Sequence, residues 1–262
     1  MLNRRQYRHR PAAATSWENV ADWYGKHLRE EDALLNSVVY PAALKCLGDL
    51  KGKRLLDIAC GEGAFSRLAS GAGAQATGLD ASPSLVEKAR RQAAAGSRYF
   101  VADAQEFYEK LEGEKFDAAS CLLSIQNIRE PRRVFRDVAS ALAPGGIFIL
   151  AMNHPCFRIP RQSSWGFEEQ RKIQYRRVDM YMSDLDVPIV AHPGERRSEK
   201  TVSHHRPLSH YVNEMGTRGL AIVGMEELVS DRVSDSGPRA KAENRARHEI
   251  PMFLVIKAVK VK

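Results

Sequence analysis

The sequence predicts an α/β fold built on a doubly wound, mostly parallel, seven-stranded sheet. Three observations carry this expectation. Short apolar runs near residues 54–59, 75–79, 99–101, 116–123 and 147–152 alternate with stretches of helical composition, the pattern of a parallel sheet with helices on both faces. The first run contains Asp57 and passes directly into Cys60-Gly61-Glu62-Gly63 and a helical segment. Such a strand, glycine turn and helix meet nucleotide-like ligands at the carboxyl ends of the strands. The fifth run is nearly all apolar, as a strand covered on both faces requires.

The elements follow in order. Residues 1–14 read as a disordered basic tail, because they offer little apolar surface to bury. Residues 15–50 read as helices covering the cleft. The first, over 16–29, has Ser16 as its cap and places Trp17, Val20 and Tyr24 on one face. The second, over 32–48, contains Pro41, which kinks or divides it, and ends at Gly48. Residues 51–156 form the core: a helix over 63–70, a flexible GAGA, a strand, and a helix from Ser82 to Ala95 with Ser82 as cap and Pro83 in its first turn. A third strand, a helical turn over 105–111, a fourth strand and a helix over 129–142 follow. Pro144-Gly145-Gly146 turns the chain into strand five.

Residues 157–205 lose the alternation for nearly fifty residues, too long for an ordinary connection. They read as an insertion with extended segments, starting at the functional edge of the sheet and closing over it as a lid. Residues 206–262 complete the core with a helix over 207–216, a strand over 220–229, a loop over 231–248 and a last strand over 251–261. The two late strands suggest an antiparallel hairpin at the sheet edge.

Composition bounds the function. The chain has 262 residues, enough for one large domain. No apolar run reaches the ~18 residues of a membrane span, and the N-terminus lacks the apolar centre of a secretory signal. Cys46, Cys60, Cys121 and Cys156 are scattered without zinc spacing, which points to a reducing cytoplasm and to no metal. The formal net charge of +8 falls to +4 once Arg4, Arg5, Arg8 and Arg10 are set aside, so basic charge argues only weakly for nucleic acid as a partner.

Four motifs then stand in order, each at the end of an expected strand: LLDIACGEG from Leu55, GLD at 78–80, VADAQ at 101–105, and FDAA followed by LAPGGIFIL. Over residues 54–150 the chain closely resembles the class I S-adenosylmethionine-dependent methyltransferases, a Rossmann-like fold, and more specifically their UbiE-like small-molecule branch. A nicotinamide-binding domain shares the layout, but its G-x-G-x-x-G fingerprint fails here, where Gly61 and Gly63 are followed by Ser66.

The resemblance implies S-adenosylmethionine as methyl donor and S-adenosylhomocysteine as product. Asp57 then accepts from the ligand ammonium, or alternatively only orients the turn. Asp80 accepts both ribose hydroxyls, since a carboxylate directly after Gly-Leu at a strand end has little structural work to do. Asp103 accepts from the adenine amino group, with the Ala104 N–H facing the ring. Ala59, Gly61, Gly63 and Ala81 give close backbone approach, Ser120 borders the methionine part, and Tyr24 reaches in from the N-terminal helix. Gln126, Asn153, Phe157, Trp165 and Tyr175 are the candidate acceptor-binding residues. Asn153 and Phe157 lie in NHPCF, whose likeness to an amino-methyltransferase motif fails at His154 and at its place after strand five.

Methyl transfer needs alignment and a deprotonated nucleophile, and a histidine near neutrality can take the acceptor proton. His204 or His205 is the first choice as base and His154 the next. The activity implied is O-methylation of a small, partly aromatic metabolite, by a monomer or homodimer. An RNA methyltransferase and a non-catalytic ligand-binding module remain as alternatives.

Overall fold

A computed structural model describes residues 34–190 and 200–261. The expected tail, the helix over 16–29 and Tyr24 lie outside the described residues. A turn of π-helix (Leu35–Val39) leads into α1 (Tyr40–Leu47). Pro41 sits at the start of α1, where the π-helical turn passes into α-helix while the backbone stays helical. Gly48 ends it with a positive φ of 77°, a backbone conformation that L side chains resist.

The sheet strands are β1 (Arg54–Ile58), β2 (Gln75–Asp80), β3 (Arg98–Val101), β4 (Phe116–Leu122) and β5 (Leu142–Asn153). Between them run α2 (Ala64–Gly71), α3 (Pro83–Arg91) and α4 (Pro131–Ala141). Ser82 caps α3 by accepting from the Leu85 N–H at 3.3 Å, and Pro83 takes the first turn, where its missing N–H costs nothing. The helical turn expected over 105–111 is a 3-10 turn at Tyr108–Leu111. Within β5, Leu142 pairs with Phe116 and Ile147 with Ala118. The Pro144-Gly145-Gly146 turn is therefore a loop bulging from one long strand.

After β5 come two antiparallel hairpins, β6 (Ser163–Glu168) with β7 (Ile173–Val178) and β8 (Leu185–Val190) with β9 (Lys200–His205). Then follow α5 (Leu208–Thr217), β10 (Leu220–Leu228), α6 (Ala240–Glu249) and β11 (Phe253–Lys260). The seven-stranded order is β10-β11-β5-β4-β1-β2-β3. β1 to β5 are parallel, while β11 runs antiparallel to both β5 and β10. The late strands thus form the expected antiparallel edge, with β11 on the inside.

The expected loop over 231–248 is corrected: it contains α6. Its sequence, AKAENRARHE, buries only Ala246, so it carries almost no apolar period to read. High helix propensity in Ala, Lys, Glu and Arg forms it instead.

Alternate residues of the strands feed two cores. Leu56, Ile58, Phe148 and Leu150 face one layer with Phe107, Phe135 and Tyr211. Leu55, Ala118, Ile149 and Val255 face the other with Leu47 and Phe65. Asp57 and Ser120 share the second face but lie at the strand ends, where the apolar layer gives way to a polar one.

Candidate active site

Asp57, the last residue but one of β1, is buried. Ser66 Oγ, from the first turns of α2, donates to Asp57 Oδ2 at 2.6 Å. Ser120 Oγ, its cross-strand partner on β4, donates to Oδ1 at 2.9 Å. Burial nevertheless raises the Asp57 pKa from 3.8 to about 6, the two serine hydrogen bonds oppose the rise, and the nearby Asp80 charge adds to it.

Asp80, at the end of β2, is also buried. Its Oδ2 accepts from the Gly61 N–H at 3.0 Å and its Oδ1 from the Ser82 N–H at 2.9 Å. The expectation that Asp80 has little structural work is therefore corrected. It fastens the glycine turn to the head of α3, because both segments present backbone donors at the strand end. A carboxylate has about four lone-pair sites, so the ribose role is compatible with these bonds.

The turn itself is shaped by glycine in two ways. Gly61 and Gly63 both have positive φ (56° and 78°), which L side chains resist. A Cβ on Gly61 would meet no atom within 4 Å, whereas one on Gly63 would lie 2.9 Å from the Tyr99 hydroxyl. The Tyr99 ring also covers Gly78, where a Cβ would come within 2.6 Å of Cδ1. Tyr99 therefore requires both glycines, and the open side of the turn is at Gly61.

These groups fit the implied donor. S-Adenosylmethionine carries an ammonium and a sulfonium, and the turn presents two buried carboxylates in mutual repulsion, beside a backbone open to close approach. Ala59, at the strand exit, has a positive φ of 55° and Ala81 is exposed beside Asp80. At the end of β3, Asp103 is exposed, and its Oδ1 accepts from the Gln105 N–H at 2.8 Å, while Ala104 is buried. Ser120 lies in the site through its hydroxyl, which is committed to Asp57.

Beyond β4, the 3-10 turn Ile125–Asn127 carries Gln126. Its Nε2 donates to the Leu123 carbonyl at 2.6 Å, which fixes the amide orientation. Its Oε1 is buried without a hydrogen-bond partner. Strand β9 packs against this turn. Buried Arg206 fastens the end of the hairpin by donating to the carbonyls of Ile128 and Arg129.

The hairpin separates the two adjacent histidines. Successive residues of a strand face opposite sides. His204 lies across from Asp186, and its Nδ1 is 2.6 Å from Asp186 Oδ1. An Nδ1–H donated to that carboxylate leaves Nε2 as an acceptor. His205 instead places Nε2 2.9 Å from the Tyr181 carbonyl. Burial lowers the pKa of both rings, and for His204 the Asp186 carboxylate opposes the shift.

His154 is corrected as a base. Its Nδ1 accepts from the Cys156 N–H at 3.2 Å and its Nε2 donates to Glu227 at 2.8 Å, so neither nitrogen is left for an acceptor proton. It forms the corner at the end of β5, with the Phe157 ring 4.8 Å away. Asn153 Oδ1 accepts from Arg158 at 2.8 Å.

Trp165 and Tyr175, both expected to bind the acceptor, do not share a face. Trp165 pairs with Arg176 and Gly166 with Tyr175, so the two rings project from opposite faces of the hairpin. Both remain substantially exposed, at 43% and 48%. The aromatic count of the insertion could not reveal this without the register.

Ser66, Tyr99, Asp186 and Arg206 were not singled out as site residues from sequence. Ser66 stood out only for replacing a third glycine. Gly78 was the signal for Tyr99, since a glycine inside a strand marks close approach. The Asp186–His204 pair depends on hairpin register and leaves no local mark. Among the described residues no cluster of His, Cys, Asp and Glu suited to a metal occurs, and no helix is long and apolar enough to cross a membrane.

Comparison with known proteins agrees with this geometry. Residues 56–150 match the family model described as a methyltransferase domain. The chain is similar to a ubiquinone biosynthesis O-methyltransferase of Xanthomonas campestris pv. campestris, 34% identical over 105 residues, and the match spans 39% of this chain and 44% of that relative. It is similar in structure to an S-adenosylmethionine dependent methyltransferase from Mesorhizobium loti, with a TM-score of 0.65, 28% identity, and coverage of 84% of this chain and 96% of that one. An S-adenosylmethionine-dependent methyltransferase from Clostridium acetobutylicum shares the fold at a TM-score of 0.60 and 15% identity, over 94% of this chain and 99% of that one.

Proposed function

We propose that this chain, which carries a methyltransferase domain of the class I S-adenosylmethionine-dependent superfamily, transfers a methyl group from S-adenosylmethionine to a hydroxyl of a small acceptor. The observation that carries the reading is the pair of buried carboxylates, Asp57 and Asp80, converging on the open glycine turn. The printed activity of the Xanthomonas relative supports an oxygen acceptor.

The donor supplies an electrophilic methyl on a cationic sulfur. In this reading Asp57 faces its ammonium, Asp80 its ribose hydroxyls and Asp103 its adenine, with Ala59, Gly61, Gly63 and Ala81 allowing close approach. Ser66 and Ser120 hold the Asp57 carboxylate in one orientation. His204 takes the acceptor proton on Nε2. Asp186 holds the ring in the required tautomer and stabilises its charge once protonated. Burial keeps His204 neutral near pH 7, ready to accept. Gln126 Oε1, a buried acceptor without a donor, receives a hydrogen bond from the acceptor molecule. The two hairpins act as the lid.

The test is formation of S-adenosylhomocysteine from S-adenosylmethionine over a panel of phenols, catechols and hydroxybenzoates. Turnover on at least one phenolic acceptor, lowered at least about a hundredfold in His204→Ala, supports the reading. Turnover only on amines, or undiminished turnover in His204→Ala, refutes it.

A further inference from the structure

The seven-stranded sheet ends in β3 on one side and β10 on the other. An edge strand presents a row of backbone N–H and C=O groups, a template for a further strand. The chain treats its two edges differently. β3 is four residues long. The Ala102 N–H that follows it turns inward to the Asp80 carbonyl at 2.9 Å, so Tyr99 and Val101 direct their carbonyls outward. Arg90, from α3, donates to the Tyr99 carbonyl at 3.2 Å from Nε and 2.9 Å from Nη2. Lys110 Nζ donates to the Val101 carbonyl at 2.8 Å. Two long cations therefore occupy the outer side of β3.

β10 is built the other way. It is nine residues long, LAIVGMEEL, without Lys, Arg or Pro, against a usual strand length of about five or six. Val223 and Met225 stand 58% and 45% exposed on it. Its register against β11 shifts between Ile222 and Gly224, which adds twist at the middle of the strand. An identical partner brings the identical twist, so a second copy fits where an open-ended flat stack does not.

Charge runs along β10 in one direction. Arg218 and Lys260 stand at its start, where they line one cavity, and a Cβ on Gly219 would lie 3.6 Å from Lys260 Nζ. Glu226 and Glu227 stand at its end. Their existing partners leave them available. Glu226 faces exposed Lys45 at 3.2 Å, a surface pair of little worth. Glu227 gives one oxygen to His154 and stays 60% exposed. Arg218 reaches Glu214 only at 3.7 Å. A two-fold axis through the middle of β10 sets the acidic end of one strand beside the basic end of the other, and Val223 beside its own copy. We infer that this chain forms a two-fold dimer through β10, the two strands pairing antiparallel and continuing the sheet across both copies.

Sedimentation velocity of the full chain, from about 1 to 100 µM, measures the association. Wild type is expected to pass from monomer to dimer within that range. Val223→Lys, at an exposed position, brings two ammonium groups together on the axis and is expected to weaken the dimer at least about tenfold. Val101→Lys, the same charge placed on the β3 edge, is expected to leave it unchanged. Arg218→Glu and Glu226→Lys are each expected to weaken it, and the double variant to regain most of the loss, because both charges of each pair across the axis are then reversed. Hydrogen exchange of the β10 amides is expected to slow as the wild-type concentration rises, which checks the site without any substitution. A wild type that stays monomeric throughout overturns the inference. So does a dimer that Val223→Lys leaves intact or Val101→Lys weakens as much, a double variant no better than the single ones, or β10 amides whose exchange is unchanged while the dimer forms.

Discussion

Asp57→Asn tests the idea that the chain tolerates a costly carboxylate for the sake of its ligand. Burial raises the Asp57 pKa from 3.8 to about 6. The native state therefore keeps a proton that the unfolded chain has already released between these values, so stability falls as pH rises through this window and levels off above it. At roughly 1.4 kcal/mol per pH unit the full effect is about 3 kcal/mol. Asparagine is nearly the same size, can accept from one of Ser66 and Ser120 and donate to the other, and has no charge to bury. The stability of Asp57→Asn relative to wild type is thus expected to improve by about 2 to 3 kcal/mol between pH 4 and pH 7.5. Urea unfolding of the ligand-free protein at both pH values, followed by tryptophan fluorescence, measures the difference. A relative stability that is the same at both pH values, or that worsens as pH rises, refutes the reasoning. The same variant is expected to bind S-adenosylhomocysteine at least about tenfold more weakly, because a neutral amide is a poorer partner for an ammonium.

Three further outcomes follow from named contacts. Gly78→Ala puts a methyl group 2.6 Å from the Tyr99 ring, and thermal or urea unfolding is expected to show a loss of about 1 to 3 kcal/mol. Tyr99→Phe removes a buried hydroxyl whose neighbour Ser66 is already committed to Asp57, so its stability is expected to stay within about 1 kcal/mol of wild type or to rise. A larger loss would mean that the hydroxyl is bonded. In Asp186→Asn, His204 loses the carboxylate that raises its pKa. The acid limb of the kcat profile is expected to move to lower pH while kcat itself falls about tenfold or more, and an unmoved limb would remove His204 as the base.

Much of the fold was legible because the relevant signals are local. The β1 apolar run, the glycines and the Ser82-Pro83 helix start each state their structure within a few residues. Pro41 and Gly48 likewise mark where this helix changes form and where it ends. α6 was missed because it buries one alanine and carries no apolar stripe. The carboxylates at the ends of β1 and β2 could be found from their positions, but not their bonds. Asp80 meets Gly61 and Ser82 through the topology, and Asp57 meets Ser120 through register across 63 residues.

The acceptor side was the least legible. His204 and His205 look equivalent in sequence, and only the pairing of β8 with β9 gives one of them a carboxylate. His154 looked free until β10 and the Cys156 backbone were placed around its ring. Trp165 and Tyr175 were grouped by residue type, whereas the hairpin register turns them apart. In each case the missing information was which residue lies across a strand, and that is a property of long-range pairing.

The most direct test of the central claim is isothermal titration of S-adenosylhomocysteine into wild type and Asp80→Ala. One site of micromolar affinity in wild type, weakened at least about tenfold in Asp80→Ala, would establish that the glycine turn and its carboxylates form the donor site. No binding to wild type, or equal binding to both proteins, would contradict that assignment.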